Sequence, residues 1–371
     1  MLSSISWRTP PRAYGPWELV TSLLTEALVE RGVDVTLFAT LDSVTKGKLD
    51  GVVPAGYSED QSLNAKVWEA LHIAHLFERA NEFDLIHNQA DFLPLIFADM
   101  VETPIVTTIH GFSSPSILPV YQRYNGRSAY VAISDADRDP SLNYAATIHH
   151  GIPIDEFPFD AHGSEDLLFF GRFHADKGAG DAIRAARAAG RRLIMAGLIQ
   201  DEDYFAREAA PFIDGRTVEY RGVLSGADRT KALGSAYAML HLIGFEEPFG
   251  LSVIEAMACG TPVIAYRRGS MPELIDDGIT GILVDSFDEA VAAIGRIGAI
   301  DRAACRRAVA ERFTVERMAD RYLELYRNLL GGCLITQIYV CLRHSGECAD
   351  AAVYGYSRRT RSDGGSPGGS P

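Results

Sequence analysis

Cysteine, basic charge and long apolar runs are all scarce in this chain, and each shortage removes a class of protein. Five cysteines occur in 371 residues. Cys259 and Cys305 stand in the body of the chain, while Cys333, Cys341 and Cys348 crowd its end, with no C-x2-C pair and no His/Cys spacing of a zinc site. Such usage points to a reducing compartment. Lys and Arg are outnumbered by Asp and Glu, giving a net charge of −14. A nucleic-acid or acidic-membrane binder working by bulk charge is therefore excluded, because phosphate rewards positive faces. Anionic ligands need a local basic cluster instead. No apolar run approaches the ~20 residues of a membrane span. The first residues show no basic segment leading into an apolar one, and no asparagine opens an N-x-S/T sequon. The expectation is a cytoplasmic protein without a membrane span.

What is present is an alternation of short apolar runs with amphipathic stretches, the pattern of parallel α/β layers. In the first half, 33–38, 84–87, 105–109 and 130–133 read as buried strands, with a helix over 17–31 stopped by Gly32. A second series has strands at 167–170, 193–196, 218–220, 238–242 and 262–265, separated by helices that start near Lys177, Ala227 and Gly250. Two doubly wound halves are expected, 1–152 and 153–330, with a ligand cleft at the carboxyl ends of their strands. Only Met1 and Leu2 precede a Ser-rich turn where a doubly wound domain ordinarily opens with a strand. The helix over 314–330 carries Val315, Met318, Tyr322, Leu325, Tyr326 and Leu329 as one apolar stripe. Beyond it, 331–371 loses all periodicity and becomes rich in Arg, Gly, Ser and Pro, a composition that predicts disorder. A shifted reading frame would look the same.

The densest chemical signal lies in 245–263. A strand ends near Ile243, a loop carries Glu247, and a helix begins near Gly250. Free amides and the positive dipole end at a helix start make a seat for an anion. Glu247 precedes that seat, and Glu255 lies one to two turns into the helix, so the two carboxylates can grip hydroxyls on either side of a diphosphate. Two solvated surface acids are the alternative. Arg172, directly after a strand, and Lys177, before a helix, can both point into the cleft. There they could neutralise a diphosphate leaving group.

With seven residues between its glutamates and Pro248-Phe249-Gly250 and Gly260-Thr261-Pro262-Val263 around them, this segment resembles the E-x7-E signature of family 4 retaining glycosyltransferases. The resemblance covers 8–330. Phe170-Gly171-Arg172 through Lys177-Gly178 is similar to that family's donor-phosphate segment, and His149-His150-Gly151-Ile152-Pro153 to its interdomain linker. Gly269-Ser270-Met271-Pro272-Glu273 resembles its G-G-x-P-E turn with Ser for the second Gly. The stretch before Trp17 resembles its N-terminal glycine loop, with Gly15-Pro16 for G-G. The resemblance implies the GT-B fold, two Rossmann-like domains facing a central cleft, with the last helix crossing back. It implies transfer of a sugar from a nucleoside-diphosphate sugar to a hydroxyl on a sugar, lipid-linked or small-molecule acceptor, with retained configuration. No metal and no cofactor are implied, the nucleotide sugar being a co-substrate. Donor contacts fall to Arg172, Lys177, Glu247, Phe249, Gly250, Leu251, Ser252, Glu255 and Gly15. Catalytic roles fall to Glu247, His110, Arg172 and Lys177, with His110 near the reacting carbon. His87 follows another expected strand, and Gln89 stands where relatives often have a second His.

Asp135-Ala136-Asp137 and Asp201-Glu202-Asp203 both satisfy the metal-binding D-x-D, but two carboxylates in a loop are common by chance. His72, His75 and Glu69 share a helix, where a half-buried face is the plainer reading. Gly178-Ala179-Gly180 lacks the third glycine of a dinucleotide fingerprint, and no G-x4-G-K-[ST] loop occurs. Two rivals remain: a sugar-nucleotide epimerase on the same architecture, and a non-catalytic nucleotide-sugar-binding protein.

Overall fold

The computed structural model describes residues 1–112 and 115–331. The tail expected over 331–371, with Cys333, Cys341 and Cys348, lies outside these residues except for Gly331.

The second half builds one parallel sheet from β7 (Leu167–Phe170), β8 (Leu193–Ala196), β9 (Val218–Tyr220), β10 (Ala238–His241), β11 (Val263–Tyr266) and β12 (Gly281–Val284), in the order β12-β11-β10-β7-β8-β9. These strands are apolar almost throughout because both faces are covered. Leu168, Ile194, Met239 and Val263 face one buried cluster, while their neighbours Leu167, Leu193, Leu240 and Ile264 face another. The order reverses between β7 and β10. Their carboxyl ends therefore open the crevice where a doubly wound sheet takes its ligand.

The first half repeats the plan. Its strands are β1 (Thr36–Phe38), β2 (Lys48–Asp50), β3 (Ile86–Asn88), β4 (Ile105–Ile109), β5 (Ser128–Ala132) and β6 (Tyr144–Thr147). β3 to β6 pair in sequence and β1 pairs with β2, all parallel. The missing opening strand is supplied by a stub. Leu2 bridges in parallel to Phe38 and to Asn88, and its amide donates to the His87 carbonyl at 2.8 Å. The order β2-β1-stub-β3-β4-β5-β6 has its own reversal beside the stub. Only Thr36–Phe38 of the expected 33–38 strand is extended in the sheet.

Helix Val315–Leu329 packs on the first sheet. Its Val315, Met318, Tyr322 and Tyr326 share a buried cluster with Val20, Leu24 and Leu28 of helix Pro16–Glu30 and with Val106 and Val131. The chain thus crosses between the halves twice, and the two crossings lie side by side: the Ile152 amide donates to the Phe313 carbonyl at 2.9 Å, and Ile152 bridges to Thr314. No helix among the described residues is long and apolar enough to cross a membrane.

Candidate active site

A cavity of about 590 Å3 lies between the two reversal points, with walls drawn from both sheets. All ten site residues expected from the sequence line it. A second hollow of about 420 Å3, beside Arg302, is lined by a guanidinium already bonded to carbonyls of Asp160 and Ala236.

The wall from the second sheet is charged. Lys177 closes a short 3-10 turn, and the loop after β7 is tied to the loop after β10 by the Gly244 amide, which donates to the Asp176 carbonyl at 2.8 Å. Gly178 makes this approach possible. It sits at φ +72°, and a Cβ there would run into the Leu242 carbonyl. So placed, Lys177 Nζ lies 2.5 Å from Glu247 Oε2 and 4.6 Å from the Phe245 ring. Arg172 donates to Gln200, at the mouth of the same cavity.

Glu247 is held by its backbone. Gly269 (φ +52°) lies so close that a Cβ would meet the amide and carbonyl of Glu247. Ser270, standing where the resemblance has a second glycine, donates from its amide to the Glu247 carbonyl at 3.0 Å and from Oγ to the Phe249 carbonyl at 2.5 Å. The departure from the family pattern therefore adds a hold on the loop. Phe249 itself is almost wholly buried, its ring against His149, His150 and Phe313. Its part is to anchor the loop more than to offer a face to a ligand.

Helix Leu251–Ala258 starts at the cavity with Gly250 at φ +97° and no side chain capping its first amides. The Val253 amide turns back to the Gly250 carbonyl at 3.0 Å, and the start of the helix stands where the sequence leads one to expect an anion seat. Further in, Glu255 is 3% exposed and paired with Arg229. Burial raises the Glu255 carboxyl against the pull of Arg229. Arg229 was not singled out in the sequence. It comes from helix Gly226–Ser235, and nothing in its local sequence announces a partner 26 residues away.

The wall from the first sheet is neutral apart from Arg12 at its edge, whose guanidinium is paired with Asp42 and Glu59. His110, at the end of β4, stacks on Trp17 with ring centroids 5.3 Å apart. Its Nε2 lies 2.6 Å from Gln89 Oε1, and its Nδ1 lies 3.3 Å from His150 Nε2. Gln89 Nε2 in turn lies 3.2 Å from His87 Nε2, and His87 Nδ1 is 2.6 Å from the Tyr326 hydroxyl. With the amide so oriented, one proton assignment gives every bond a donor and an acceptor. Tyr326 receives from His87 Nδ1–H, His87 Nε2 receives from Gln89, Gln89 receives from His110 Nε2–H, and His110 Nδ1 receives from His150. In this assignment His87, His110 and His150 are all neutral. Burial agrees, lowering His110 to about 3 and taking His87 and His150 well below their ordinary range. His87 is thus inside β3, bonded to the last helix, and does not line the cavity. Gln89 serves as the link between two histidines.

The glycine loop also closes on the site. Gly15 caps helix Pro16–Glu30, and Tyr14 lies near enough to both Arg172 and Glu247 to feel their charges, while burial raises its phenol. The halves are joined at the rim by Glu273, whose carboxylate accepts from the amides of Asp135 (3.0 Å) and Ala136 (2.8 Å) and from His149 Nε2 (2.9 Å).

The set-aside motifs have other duties. Asp201 caps helix Glu202–Glu208 by accepting from the Tyr204 amide at 2.8 Å. His72 contacts the Ser3 carbonyl, His75 pairs with Asp50, and Glu69 accepts from Tyr57, so the helix trio points three ways. No group of metal-ligating side chains occurs among the described residues.

Comparison with known proteins shows what this architecture is similar to. The family model for glycosyl transferases group 1 matches residues 154–303. The fold is GT-B. AviGT4, a glycosyltransferase involved in avilamycin A biosynthesis, superposes with a TM-score of 0.65 at 26% identity, over 89% of this chain and 97% of that one. Sucrose-phosphate synthase from Thermosynechococcus elongatus superposes with a TM-score of 0.72 at 21% identity, over 89% and 98%. Anabaena HepE, solved with UDP and glucose, gives 0.68 at 18% identity, over 87% and 97%. The D-inositol 3-phosphate glycosyltransferase of Mycobacterium tuberculosis is 31% identical over 209 residues, 52% of this chain and 41% of the relative. The chain therefore spans about two-fifths of the length of the curated relatives it matches.

Proposed function

We propose that this protein is a retaining glycosyltransferase of the family 4 type, moving a sugar from a nucleoside-diphosphate sugar to an acceptor hydroxyl without a metal. The observation that carries this reading is the Lys177–Glu247 pair, set beside an uncapped helix start at the reversal point of the second sheet. That combination supplies a cation, free amides and a carboxylate within one donor-sized cavity.

On this reading the diphosphate lies on the start of helix Leu251–Ala258, with Lys177 and Arg172 neutralising it. Glu255 accepts from ribose hydroxyls, and Glu247 from the sugar, where its charge also favours positive charge at the reacting carbon. The bond from that carbon to the phosphate oxygen breaks while the bond to the acceptor oxygen forms on the same face. The acceptor proton passes to the leaving phosphate. Cationic side chains and oriented amides supply the stabilisation a metal would otherwise give. The neutral first-sheet wall, with His110 and Trp17, receives sugar and acceptor. Free buried Cys259 and Cys305 accord with a cytoplasmic location.

A thermal-shift panel of UDP, GDP, ADP and TDP and their sugars tests the reading. A ligand at 100 times its Kd stabilises by about 2.7 kcal/mol. The expected result is a shift with one base and, with its sugar, slow nucleotide release that survives EDTA. An epimerised free nucleotide sugar would favour the epimerase, and binding without any turnover a sensor. Loss of activity on chelation, restored by manganese or magnesium, would overturn the metal-free mechanism.

A further inference from the structure

His241 ends β10 at the reversal point, and the mechanism above gives it nothing to do. Its side chain is 7% exposed, its Nε2 has no hydrogen-bond partner, and that atom lies 3.9 Å from Glu247 Oε2. A buried polar atom without a partner calls for an explanation. The oxygen it approaches is the one that Lys177 Nζ holds at 2.5 Å. Lys177 therefore faces two demands. In the structure it neutralises Glu247, and on the proposed reading it must serve the diphosphate. A flexible four-carbon stem can turn from one to the other. Glu247, 13% exposed, would then be left without its cation at the moment its carboxylate has to address the sugar.

We propose that His241 is a positioning residue for Glu247: its Nε2–H donates to Glu247 Oε2 when Lys177 turns to the diphosphate, so the carboxylate keeps its aim. The distance of 3.9 Å is too long for a hydrogen bond, and a small rotation of the carboxylate closes it. No proton is transferred. Burial lowers His241 to about 4, with Glu247 raising and Lys177 lowering it, so a neutral ring is the donor. The inference rests on the proposed function for the ligand that draws Lys177 away, but the exchange itself can be examined without any ligand.

In Lys177→Met the cation is gone and Glu247 is free for His241. Histidine-labelled NMR of the intact chain should show the His241 Nε2 proton moving downfield and exchanging more slowly than in wild type. The change should vanish in Lys177→Met/Glu247→Ala. An unaltered resonance in Lys177→Met overturns the proposal. A second arm uses UDP and UDP-glucose as probes. His241→Phe should lower kcat for nucleotide release about tenfold with the Kd for UDP within about twofold, and His241→Gln should restore most of the loss. In a Glu247→Ala background, His241→Phe should cost nothing further. Equal losses in both backgrounds, or an effect confined to UDP binding, would overturn the proposal. If wild type neither binds UDP nor cleaves UDP-glucose, the UDP reading of the site fails, and the ligand-free arm still decides His241.

Discussion

The two walls of the cavity are built from the same fold and treat charge in opposite ways. The first-sheet wall, with His110 and His150, is backed by a chain of neutral groups running through Gln89 and His87 to Tyr326, each bonded to the next. The second-sheet wall holds ion pairs, Lys177 with Glu247 and Arg229 with Glu255. A neutral wall can face a sugar or hydroxyl without paying to desolvate a charge. A wall of paired ions can open to accept an anion, since Lys177 has a carboxylate to exchange for phosphate. Fold alone does not separate these uses. The side chains at the two reversal points do.

Substitutions that break the charged wall should have the largest effect. Arg172→Ala and Lys177→Ala should each lower turnover by about 10²–10³-fold, the range for losing one stabilising donor at a developing charge. Circular dichroism should show both variants folded. Near wild-type rates in both would remove the phosphate assignment.

The two glutamates sharpen the contrast within that wall. Glu247→Gln should mainly lower kcat, because its charge matters most at the reacting carbon. Glu255→Gln should mainly raise the donor KM, because ribose contacts bind ground and transition states alike. Burial of the Glu255–Arg229 pair adds a further expectation. Neutralising Glu255 strands a partly exposed guanidinium and should cost roughly 1–3 kcal/mol of stability in denaturant melts. Steady-state kinetics that give Glu247→Gln a pure KM effect would show the roles exchanged.

The neutral wall shows itself in acid. His110 falls to about 3, and His87 and His150 are also lowered; outside that wall, His72 and His241 fall to about 4. Their folded pKa values lie below those of the unfolded chain, so the unfolded chain binds protons first. Stability should therefore be intact above about pH 6.5 and decline as pH falls toward the folded values, by about 1.4 kcal/mol per unit for each such group. Glu255 and Asp137, raised by burial, oppose this in part. Urea melts of His72→Gln between pH 6 and 4 should decline less steeply than wild type by one proton. Parallel declines would mean that His72 is not held neutral.

A smaller effect is expected at the support of Glu247. Gly269→Ala should cost about 1–2 kcal/mol for an L-residue with positive φ, and should lower kcat by displacing the Glu247 backbone. Unchanged kinetics would show that this turn does not set the loop.

Strands of the second sheet are legible in the sequence because burial on both faces makes them unbroken apolar runs. Gly281–Val284 escapes because it opens on a glycine directly out of the turn at 276–280, which blurs its start. The first sheet is harder to read. Lys48–Asp50 is largely exposed and polar, Tyr144–Thr147 is only partly buried, and the stub at Leu2 is too short to show any period. In the site, Glu247, Glu255, Arg172, Lys177 and His110 carry local patterns. Arg229, His241, Gln89 and Glu273's bond to the Asp135 amide are pairings across distant elements, which no local pattern encodes. His150 lies in a stretch whose pattern reads as a linker between the halves, and nothing local marks it as part of the cavity wall.

Isothermal titration of the panel's binding nucleoside diphosphate into wild type, Lys177→Ala and His110→Ala tests the division between the walls most directly. The account predicts that Kd rises about 100-fold in Lys177→Ala, equivalent to about 2.7 kcal/mol, and is nearly unchanged in His110→Ala. Equal weakening in both variants, or none in Lys177→Ala, would contradict it.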